Sequence, residues 1–415
     1  MRILYLTQWY TPEAVFVVPE LAQTLQSLGH TVTVLTGFPN YPSGKLYPGY
    51  HIRHWQKETI DGIPVIRLPL FPDHSKSAIR RALNMLSFAA SATILGPWLA
   101  PRADVIYVTY PPVTVGGPAW LLSRLWGVPF ACEINDMWPD TLRATGFVSN
   151  ERILNLVGWF AGWTYRRAAA IRVITPGFRA NLIDKGVPSS RIHMIPVWAN
   201  TDLVQPLKPD PDLARQLGLD GHFNVMYAGS LGPAQDLDTV LDAADLLRDM
   251  PDIQFVFVGD GIELPRLIEI VKSRQLNSVS FLGHYPVQAM SGLYALADVL
   301  LLHLRDDPLF RITIPSKTYA YLASGKPVLA AVEGDAAEVV RSTGAGLPCP
   351  PSNPRMLADT VRRFYAMPPA ERDRMGQNGR SAVYQSNDRE YLVGQIAEML
   401  DAVAKEFKAR QRNAD

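Results

Sequence analysis

Basic side chains are concentrated in the segment DPLFRITIPSKTYAYLASGKPV, residues 307–328. Arg311 lies shortly before Ser316 and Lys317, and these two residues open a helix predicted over 316–323. Cations at a helix N-terminus oppose the helix dipole, which favours anions there. A bound diphosphate would offset that cost through charge-assisted hydrogen bonds. The segment therefore predicts a phosphate site; the alternative is a set of solvated basic residues on a loop.

Glycines close two predicted strands in the second half of the chain. Gly229 and Ser230 follow the strand predicted over 224–228, and Gly259 and Gly261 follow the next strand. Glycine allows a backbone to approach a phosphate closely, and the N-terminus of a following helix offers free N–H groups. Ligands of open parallel sheets bind at these carboxyl ends. Because glycine turns after strands are common, ordinary turn geometry is the alternative for each loop.

Short apolar, β-branched runs alternate with helical patterns along the whole chain, which predicts βαβ units and parallel sheets. The predicted strands of the first half cover residues 2–7, 31–36, 64–68, 105–108, 129–133 and 170–175. Those of the second half cover residues 224–228, 254–258, 278–282, 299–303 and 327–331. Apolar residues three and four apart predict helices such as 20–28 and 237–248. Two sheets of this size indicate an α/β chain with two Rossmann-like domains.

The two domains are predicted to cover residues 1–175 and 176–388, with the join between Thr175 and Pro211. Prolines in the stretch KPDPD, residues 208–212, predict a stiff and exposed connection there. Residues 389–415 are predicted to form a long amphipathic helix with a charged end that packs back onto the first domain.

The composition excludes several classes of protein. The 415 residues suit two α/β domains, and 47% hydrophobic with 19% charged residues describes an ordinary globular enzyme. The net charge of +1 gives no reason to expect a nucleic-acid partner. Cys132 and Cys349 lie in apolar stretches, so neither a disulfide framework nor a zinc site is expected. The start MRILYLTQWY lacks a signal-peptide pattern, so a cytoplasmic location is expected.

Two apolar segments suggest contact with a membrane surface. No run reaches the roughly 20 apolar residues that a membrane crossing needs. Residues 83–100 and 154–165 come nearest, contain tryptophans and adjoin pairs of arginines. That combination suits the membrane interface. A buried helix of a parallel α/β domain, which is also apolar all round, is the alternative.

The chain carries, in this order, the segments GHTVTVLTGFPNYP, IPVWANTD, YAGSLG, FVGDG, VSFLGHYP and IPSKTYAYLASGKPV. This order resembles the family 4 glycosyltransferases of GT-B fold, and the resemblance covers nearly the whole chain. The segments FPNYPSGKLYPGY, RRALNMLSFAASA, NDMWPDTL and PLFRITIPSKTYAYLASGKPV are similar to bacterial N-acetyl-L-fucosamine transferases of O-antigen and capsule synthesis. The resemblance implies two Rossmann-like domains facing each other across a cleft. It also implies retaining transfer from a nucleotide sugar held by the second domain, with no metal and no cofactor.

The resemblance assigns the donor site to four segments. They contain Gly229 and Ser230 on the first diphosphate loop, Gly259 and Gly261 on the next loop, His284 and Tyr285 at the nucleobase, and Ser316 and Lys317 near the pyrophosphate.

The catalytic candidates lie in the first half of the chain. Asn135 and Asp136 fall where many relatives carry a His-Asp pair that faces the transferred sugar. The resemblance therefore makes Asp136 the first choice for a catalytic or acceptor-orienting carboxylate, with Glu133 and Asp140 behind it. The alternative is that Asp136 caps a helix, since Asp is a favoured N-cap residue.

Some positions depart from the family pattern. Ile312 and Ala320 stand where many relatives carry two glutamates, the second of which grips the ribose. Ser230 and Gln235 stand where many relatives carry an Arg and a Lys on the first diphosphate loop. The usual glycine-rich first loop is replaced by the bulkier residues 13–18, which should change the fit of the acceptor or the sugar.

The charge missing from the first diphosphate loop, at Ser230 and Gln235, could be supplied by Arg311 and Lys317 instead, and we take this as a hypothesis. The mechanism needs fixed cations and N–H groups at the departing diphosphate. It also needs an anion or lone pair near the cationic sugar, for which the Asp136 region is the candidate.

Together these features predict transfer of an N-acetylated amino sugar from a UDP-sugar to a polyprenyl-diphosphate-linked saccharide or glycan acceptor in bacterial surface polysaccharide synthesis. UDP is preferred to GDP only because the relatives that the chain resembles use UDP-linked amino sugars. A sugar-nucleotide epimerase of the same fold and a non-catalytic donor-binding homologue remain as alternatives. The expected location is the cytoplasm, with peripheral contact at the inner face of the cell membrane.

Overall fold

The computed structural model describes residues 1–13, 15–75 and 77–412. Ala14 of the first loop and residues 413–415 of the predicted terminal helix lie outside the described residues. The chain divides into two compact units: the first contains Met1–Pro196 together with the last helix, and the second is Val197–Arg389.

The first unit contains one mixed sheet and the helices that connect its strands. Its strands are β1 (Arg2–Leu6), β2 (Thr31–Gly37), β3 (Gln56–Ile60), β4 (Ile63–Leu68), β5 (Val105–Tyr110), β6 (Phe130–Ile134), β7 (Ala170–Val173) and β8 (Ile192–Met194). Its helices are α1 (Val17–Ser27), α2 (Ala78–Leu99), α3 (Gly116–Trp126), α4 (Asp140–Ala144), α5 (Glu151–Tyr165) and α6 (Pro176–Asp184). The strand order is β3-β4-β2-β1-β5-β6-β7-β8, and the pairs are parallel except β3 with β4.

The second unit contains a parallel sheet. Its strands are β9 (Phe223–Ala228), β10 (Ile253–Val258), β11 (Val279–Gly283), β12 (Val299–His303), β13 (Val328–Ala331) and β14 (Gly346–Cys349). Its helices are α7 (Pro211–Leu217), α8 (Leu237–Asp245), α9 (Leu264–Arg274), α10 (Met290–Ala295), α11 (Pro308–Arg311), α12 (Ser316–Ala323), α13 (Asp335–Ser342), α14 (Pro354–Ala366) and α15 (Pro369–Ser386). The strand order is β11-β10-β9-β12-β13-β14. The last helix, α16 (Arg389–Arg412), returns to the first unit.

Each strand predicted from the sequence is present, because parallel strands covered on both faces must be apolar on both faces. β5 and β12, for example, are buried at every residue. The prediction missed β3, β8 and β14. β3 reads QKETI and alternates between half-buried and exposed residues at the sheet edge, β8 has three residues, and β14 contains Pro348. None of these three has the apolar run that identifies a central parallel strand.

The boundary between the units falls between Pro196 and Val197, inside the predicted interval but later than residue 175. Residues 176–196 belong to the first unit because β8 pairs with β7 and α6 contacts both strands. The stretch KPDPD is not the join. Asp210 instead caps α7, since its side chain accepts hydrogen bonds from the backbone N–H groups of Asp212 at 2.9 Å and Leu213 at 3.3 Å.

Helices packed on the sheet hold the strands of the second unit in place. α8 buries Leu237, Val240, Leu241 and Ala244 at helical spacing, and it packs against α14 and its neighbours on the sheet. Burying each large aliphatic side chain stabilises the fold by about 1.5–3 kcal/mol. The loops at the carboxyl ends of β9 and β10 are therefore held on a rigid scaffold.

Candidate active site

The donor residues predicted from the sequence lie along the carboxyl edge of the second sheet, where its strands end. Strands β11, β10, β9 and β12 are neighbours in that order. Their carboxyl ends carry, in the same order, His284 and Tyr285, then Gly259 and Gly261, then Gly229 and Ser230, and finally His303. Neighbouring strands are about 4.8 Å apart, so this edge spans roughly 14 Å. An extended ligand lying along the edge would meet all four loops.

The glycines at this edge allow the two loops to pack against each other. A Cβ at Gly259, where φ is +135°, would lie 2.0 Å from the carbonyl oxygen of Gly229. A Cβ at Gly261 would lie 2.1 Å from the carbonyl oxygen of Leu231. The loops are also joined by a hydrogen bond from the Leu231 N–H to the Asp260 carbonyl at 2.9 Å. Close packing between loops thus accounts for Gly259 and Gly261 in this structure.

Gly229 has a different neighbour, the side chain of Lys317. A Cβ at Gly229 would lie 2.7 Å from the Lys317 Nζ. The ammonium donates to the Tyr227 hydroxyl and sits 3.9 Å from the centroid of the Tyr227 ring. The hydroxyl in turn donates to the carbonyl of Ser230 at 2.7 Å. Lys317, at the start of α12, is therefore held directly beside the first glycine loop.

The Lys317 ammonium has no anionic partner in this arrangement. In the described ranges, no carboxylate lies within ion-pair distance of its Nζ. The loss of water around the ammonium lowers the pKa of Lys317 from 10.5 to about 7. A positive charge desolvated beside a glycine loop is an arrangement that an anion would stabilise.

His303 completes this group and was not found from the sequence. It ends the buried strand β12, and its Nδ1 lies 2.7 Å from the carbonyl oxygen of Gln235. Because a carbonyl can only accept, Nδ1 carries a proton, and Nε2 is buried without a partner among the described residues. Burial lowers the pKa of His303, while the hydrogen bond to Gln235 opposes that shift. The only sequence signal was a histidine closing an apolar strand.

Gln235, which stands where many relatives carry a lysine, has a structural role. Its side-chain oxygen accepts from the backbone N–H of Gly232 at 3.1 Å, and its backbone carbonyl accepts the hydrogen bond from His303 Nδ1. The Gln235 side chain thus holds together residues 232–235 of the first diphosphate loop. Ala320, at the position of the ribose-gripping glutamate, lies half-buried on α12 and offers no side-chain acceptor.

The other predicted donor residues are accessible. Ser316 is exposed at the N-terminus of α12, and Ser230 is exposed on the first diphosphate loop. His284 is exposed and Tyr285 is half-buried after the edge strand β11. These positions leave their side chains and backbone N–H groups open to a ligand.

Arg311 differs from the prediction. Its guanidinium contacts the Asp306 carboxylate at 2.9 Å and the Glu333 carboxylate at 3.2 Å. The hydrogen bond to Asp306 raises the pKa of Arg311. Two carboxylates therefore already balance the charge of Arg311, whereas the Lys317 ammonium has no such partner among the described residues.

In the first unit, Glu133 is occupied by a buried ion pair. Its Oε1 lies 2.8 Å from the guanidinium of Arg172, and both side chains are 1% exposed or less. Arg172 also donates to the carbonyls of Ile195 at 3.0 Å and Pro196 at 2.7 Å. Glu133 therefore balances a charge that holds the end of the first unit, and the structure gives this predicted catalytic residue a structural role.

Asn135 and Asp136 follow Glu133 at the carboxyl end of β6. The Asn135 side chain donates to Glu133 Oε1 at 2.8 Å, and its own Oδ1 is buried without a partner among the described residues. Asp136 accepts from the indole N–H of Trp138 at 3.3 Å and from the hydroxyl of Thr141. Burial raises the pKa of Asp136. Asp136 thus keeps a carboxylate at the sheet edge without a cationic partner among the described residues.

The helix-cap alternative for Asp136 is not what the structure shows. The N-cap residue of α4 is Pro139, and no side chain caps the helix. Asp140, the reserve candidate, is paired with Lys185 at 2.6 Å.

Another buried carboxylate, Glu13, lies in the loop after β1, and its burial was not predicted from the sequence. Glu13 is 5% exposed and accepts from the backbone N–H groups of Tyr10 at 2.9 Å, Asn40 at 2.8 Å and Tyr41 at 2.8 Å. Burial raises its pKa to about 7, although the three N–H groups oppose that shift. Glu13 thus joins the loops after β1 and β2.

In the part of the chain that is described, no group of three or more His, Cys, Asp or Glu side chains is placed to hold a metal ion.

Comparison with known proteins identifies the family of both units. Residues 14–198 match the family described as the glycosyl transferase 4-like domain, and residues 211–382 match the glycosyl transferases group 1. WcaI of Escherichia coli (strain K12), named as a colanic acid biosynthesis glycosyl transferase, is 28% identical over 73% of this chain and 76% of its own. The alpha-D-kanosaminyltransferase of Streptomyces kanamyceticus is 24% identical over 62% of this chain and 67% of its own.

The fold also agrees with solved structures. The structure of Anabaena Alr3699/HepE in complex with UDP and glucose superposes with a TM-score of 0.72, at 19% identity, over 97% of this chain and 100% of that one. The α/β sheets of the two units and the two family matches have one common explanation: the chain is a family 4 glycosyltransferase of GT-B fold, with a glycosyl transferase 4-like unit followed by a group 1 unit.

Proposed function

We propose that the protein transfers an N-acetylated amino sugar from a UDP-sugar to a polyprenyl-diphosphate-linked saccharide or glycan during synthesis of a bacterial surface polysaccharide. The observation that carries this proposal is the Lys317 ammonium, which lies beside the Gly229 loop without a carboxylate among the described residues. The name of WcaI, a colanic acid relative, supports the polysaccharide. The complex of HepE with UDP and glucose supports the nucleotide, and the kanosaminyltransferase supports an amino sugar.

In this proposal the diphosphate lies against Lys317, the backbone of Gly229 and Ser230, and the free N–H groups at the start of α12. The order of the strands then directs the nucleoside toward β11, where His284 and Tyr285 are open for the base. The departure at Gln235 is consistent with this proposal. The first diphosphate loop lacks the lysine of many relatives there, and Lys317 of α12 extends to the same loop instead.

The proposed reaction breaks the bond between the anomeric carbon and the diphosphate oxygen, and UDP leaves with the bonding electrons. The charge that develops on the departing oxygen is stabilised by the Lys317 ammonium. The acceptor hydroxyl attacks from the same face, which retains the anomeric configuration. It gives its proton to the departing phosphate, so no separate base is required.

Asp136 has the role of holding the acceptor or the cationic sugar, since its carboxylate has no cationic partner among the described residues. The charges of Glu133 and Asp140 are already balanced by Arg172 and Lys185. The proposal is metal-independent, because the fixed ammonium and the N–H groups supply the charge that a cation would otherwise bring. The relatives are named as transferases, so neither the epimerase nor the silent homologue is proposed.

The proposed location is the cytoplasm, at the inner face of the cell membrane, since a polyprenyl-diphosphate acceptor is anchored in the bilayer.

The test begins with calorimetric titration of UDP, GDP and ADP, without metal and then with magnesium. We expect UDP to bind selectively without metal and Lys317→Met to weaken it by about 10- to 100-fold. The matched control is Lys326→Met, which removes another half-buried lysine of the same unit whose pKa burial also lowers. Transfer from UDP-N-acetylated amino sugars to membrane saccharide acceptors is then followed by mass spectrometry. Binding of no nucleotide, or equal loss in both variants, would contradict the assignment of the donor site.

A further inference from the structure

The outward face of α2 is apolar along its whole length. Its exposed stripe consists of Ile79, Leu83, Leu86, Ala90, Ile94 and Trp98, of which Ile79 is 75%, Ile94 65% and Trp98 86% exposed. The buried face consists of Asn84, Phe88, Ala89, Ala92 and Gly96. A surface helix normally turns its large apolar residues inward. In α2 the larger part of them faces outward, so this stripe needs a partner other than the sheet behind it.

Helices α3 and α5 extend this surface. The connections from β4 to β5, β5 to β6 and β6 to β7 run in the same direction along the sheet, so α2, α3 and α5 lie on one face. α3 contacts both other helices, and Trp120 of α3 meets Trp163 of α5 with ring centroids 5.3 Å apart. The apolar face, as we call it, consists of the α2 stripe with Leu125, Ile153, Leu156 and Trp159, all exposed.

Positive charge borders the apolar face. The basic residues on or directly after these helices are Arg80, Arg81, Arg124, Arg152, Arg166 and Arg167. The acidic residues within α2, α3 and α5 are limited to Glu151. A surface that is apolar in the middle and basic at its border has the chemistry of a bilayer surface with anionic headgroups.

We infer that the apolar face docks on a bilayer that contains anionic lipids. Ile79, Leu83 and Ile94 enter the boundary of the acyl chains. Trp98 and Trp159 lie at the headgroup level, where indole rings concentrate. The arginines other than Arg80, whose charge is balanced by Asp73 at 2.7 Å, contact lipid phosphates. This inference rests on the proposed function for its purpose, since it brings the protein to a lipid-linked acceptor.

α2 lies on the bilayer in this inference and does not cross it. Its 22 residues are long and apolar enough for a crossing by length and composition alone. However, α2 connects β4 and β5 of one sheet and contacts β2, β4 and α3. Its inward Phe88 is fully buried. A crossing would remove the helix from the sheet and expose that core, so only the outward stripe is available to lipid.

The basic end of α2 is placed at the carboxyl edge of the first sheet. Ser77 caps the helix where it leaves the loop after β4. The guanidinium of Arg81 lies 4.8 Å from the ring of Phe147, which is in the chain between α4 and α5. Because Asp136 follows β6 at this same edge, docking brings lipid headgroups to the side of the sheet where the acceptor is proposed to bind.

The test is flotation of the full-length protein with vesicles of phosphatidylethanolamine that contain about a quarter phosphatidylglycerol, against vesicles without the anionic lipid. We expect binding to the anionic vesicles, and loss of at least about tenfold in partition for Ile94→Asp combined with Trp98→Asp. Arg152→Gln and Arg166→Gln should each lower partition about fivefold. The matched controls are Ile268→Asp on the exposed side of α9 and Arg355→Gln on α14.

The inference is overturned by equal binding to both kinds of vesicle, by no loss in the apolar double variant, or by resistance to release by high salt and carbonate, which indicates a crossing. A wild-type dimer that the double variant splits, without vesicle binding, would make the apolar face a self-association surface and overturn it too. UDP binding is measured on the same samples. Vesicle binding that disappears while UDP binding persists separates the docking face from the donor site, and failure of UDP binding alone contradicts only the proposed function.

Discussion

Titration of the Lys317 ammonium gives a quantitative test of the donor site. In the free protein the pKa of Lys317 is about 7, because burial removes water from the charge. A diphosphate beside the ammonium favours the charged form and returns the pKa toward 10.5 or above. UDP binding above pH 7 must therefore be accompanied by proton uptake. At about pH 8 some nine-tenths of the free protein lacks this proton, so uptake is about 0.9 proton per UDP.

The direction in which UDP affinity changes with pH follows from the difference in the pKa of Lys317 between the free and bound states. The bound state holds more protons than the free state above about pH 7, so affinity falls as the pH rises, by close to tenfold per unit, or about 1.4 kcal/mol. Below that pH the lysine is already charged in both states and contributes its full attraction. Lys317→Met removes the proton and should flatten the slope, whereas Lys326→Met should leave it unchanged.

The assay is calorimetric titration of UDP between about pH 7.5 and about pH 9, in buffers of different ionisation enthalpy, which counts the protons directly. Working above about pH 7.5 avoids the titration of the terminal phosphate itself. A wild-type affinity that does not change with pH would refute the reasoning, as would the same slope in Lys317→Met. In either case Lys317 would not meet the diphosphate as a desolvated ammonium.

Further substitutions test the scaffold and the first unit. Gly259→Ala should destabilise the protein by about 2 kcal/mol or more in denaturant unfolding, because its Cβ meets the opposite loop, whereas Gly283→Ala, which meets nothing within 4 Å, should cost about 1 kcal/mol. Asp136→Asn should reduce turnover by about 10²-fold while UDP affinity is preserved; a parallel loss of UDP binding would contradict the assigned role. Arg172→Met should destabilise the protein by about 3–5 kcal/mol, and adding Glu133→Gln should recover part of that loss if the cost comes from an unpaired buried carboxylate.

The central strands were predictable because burial on both faces requires an apolar run, and the bounds of α12 were predictable because its apolar spacing starts directly after a proline. The edge strands were not, because an edge tolerates polar residues, three-residue strands and Pro348. For the same reason the domain boundary was placed too early: β8 carries no apolar pattern of its own.

The site followed the same division. The type and position of Lys317 could be predicted, because cations at a helix start are unusual. Its partner Tyr227 and the buried His303 could not, because their contacts join residues far apart in the sequence. Glu133 was a reserve candidate behind Asp136, but its charge is balanced by Arg172, and only the pairing of β6 with β7 shows this.

The return of α16 to the first unit affects the order in which the protein can be completed during synthesis. Leu392, Val393, Ile396 and Leu400 are buried on this helix, and Gln411 donates to the Gly127 carbonyl of the first unit at 3.2 Å. A ribosome makes this segment only after the whole second unit. The second unit can therefore close while the part of the first unit that α16 will cover is still exposed. A nascent chain in this state is open to aggregation and to chaperones at its N-terminal unit, although that unit is the first to emerge.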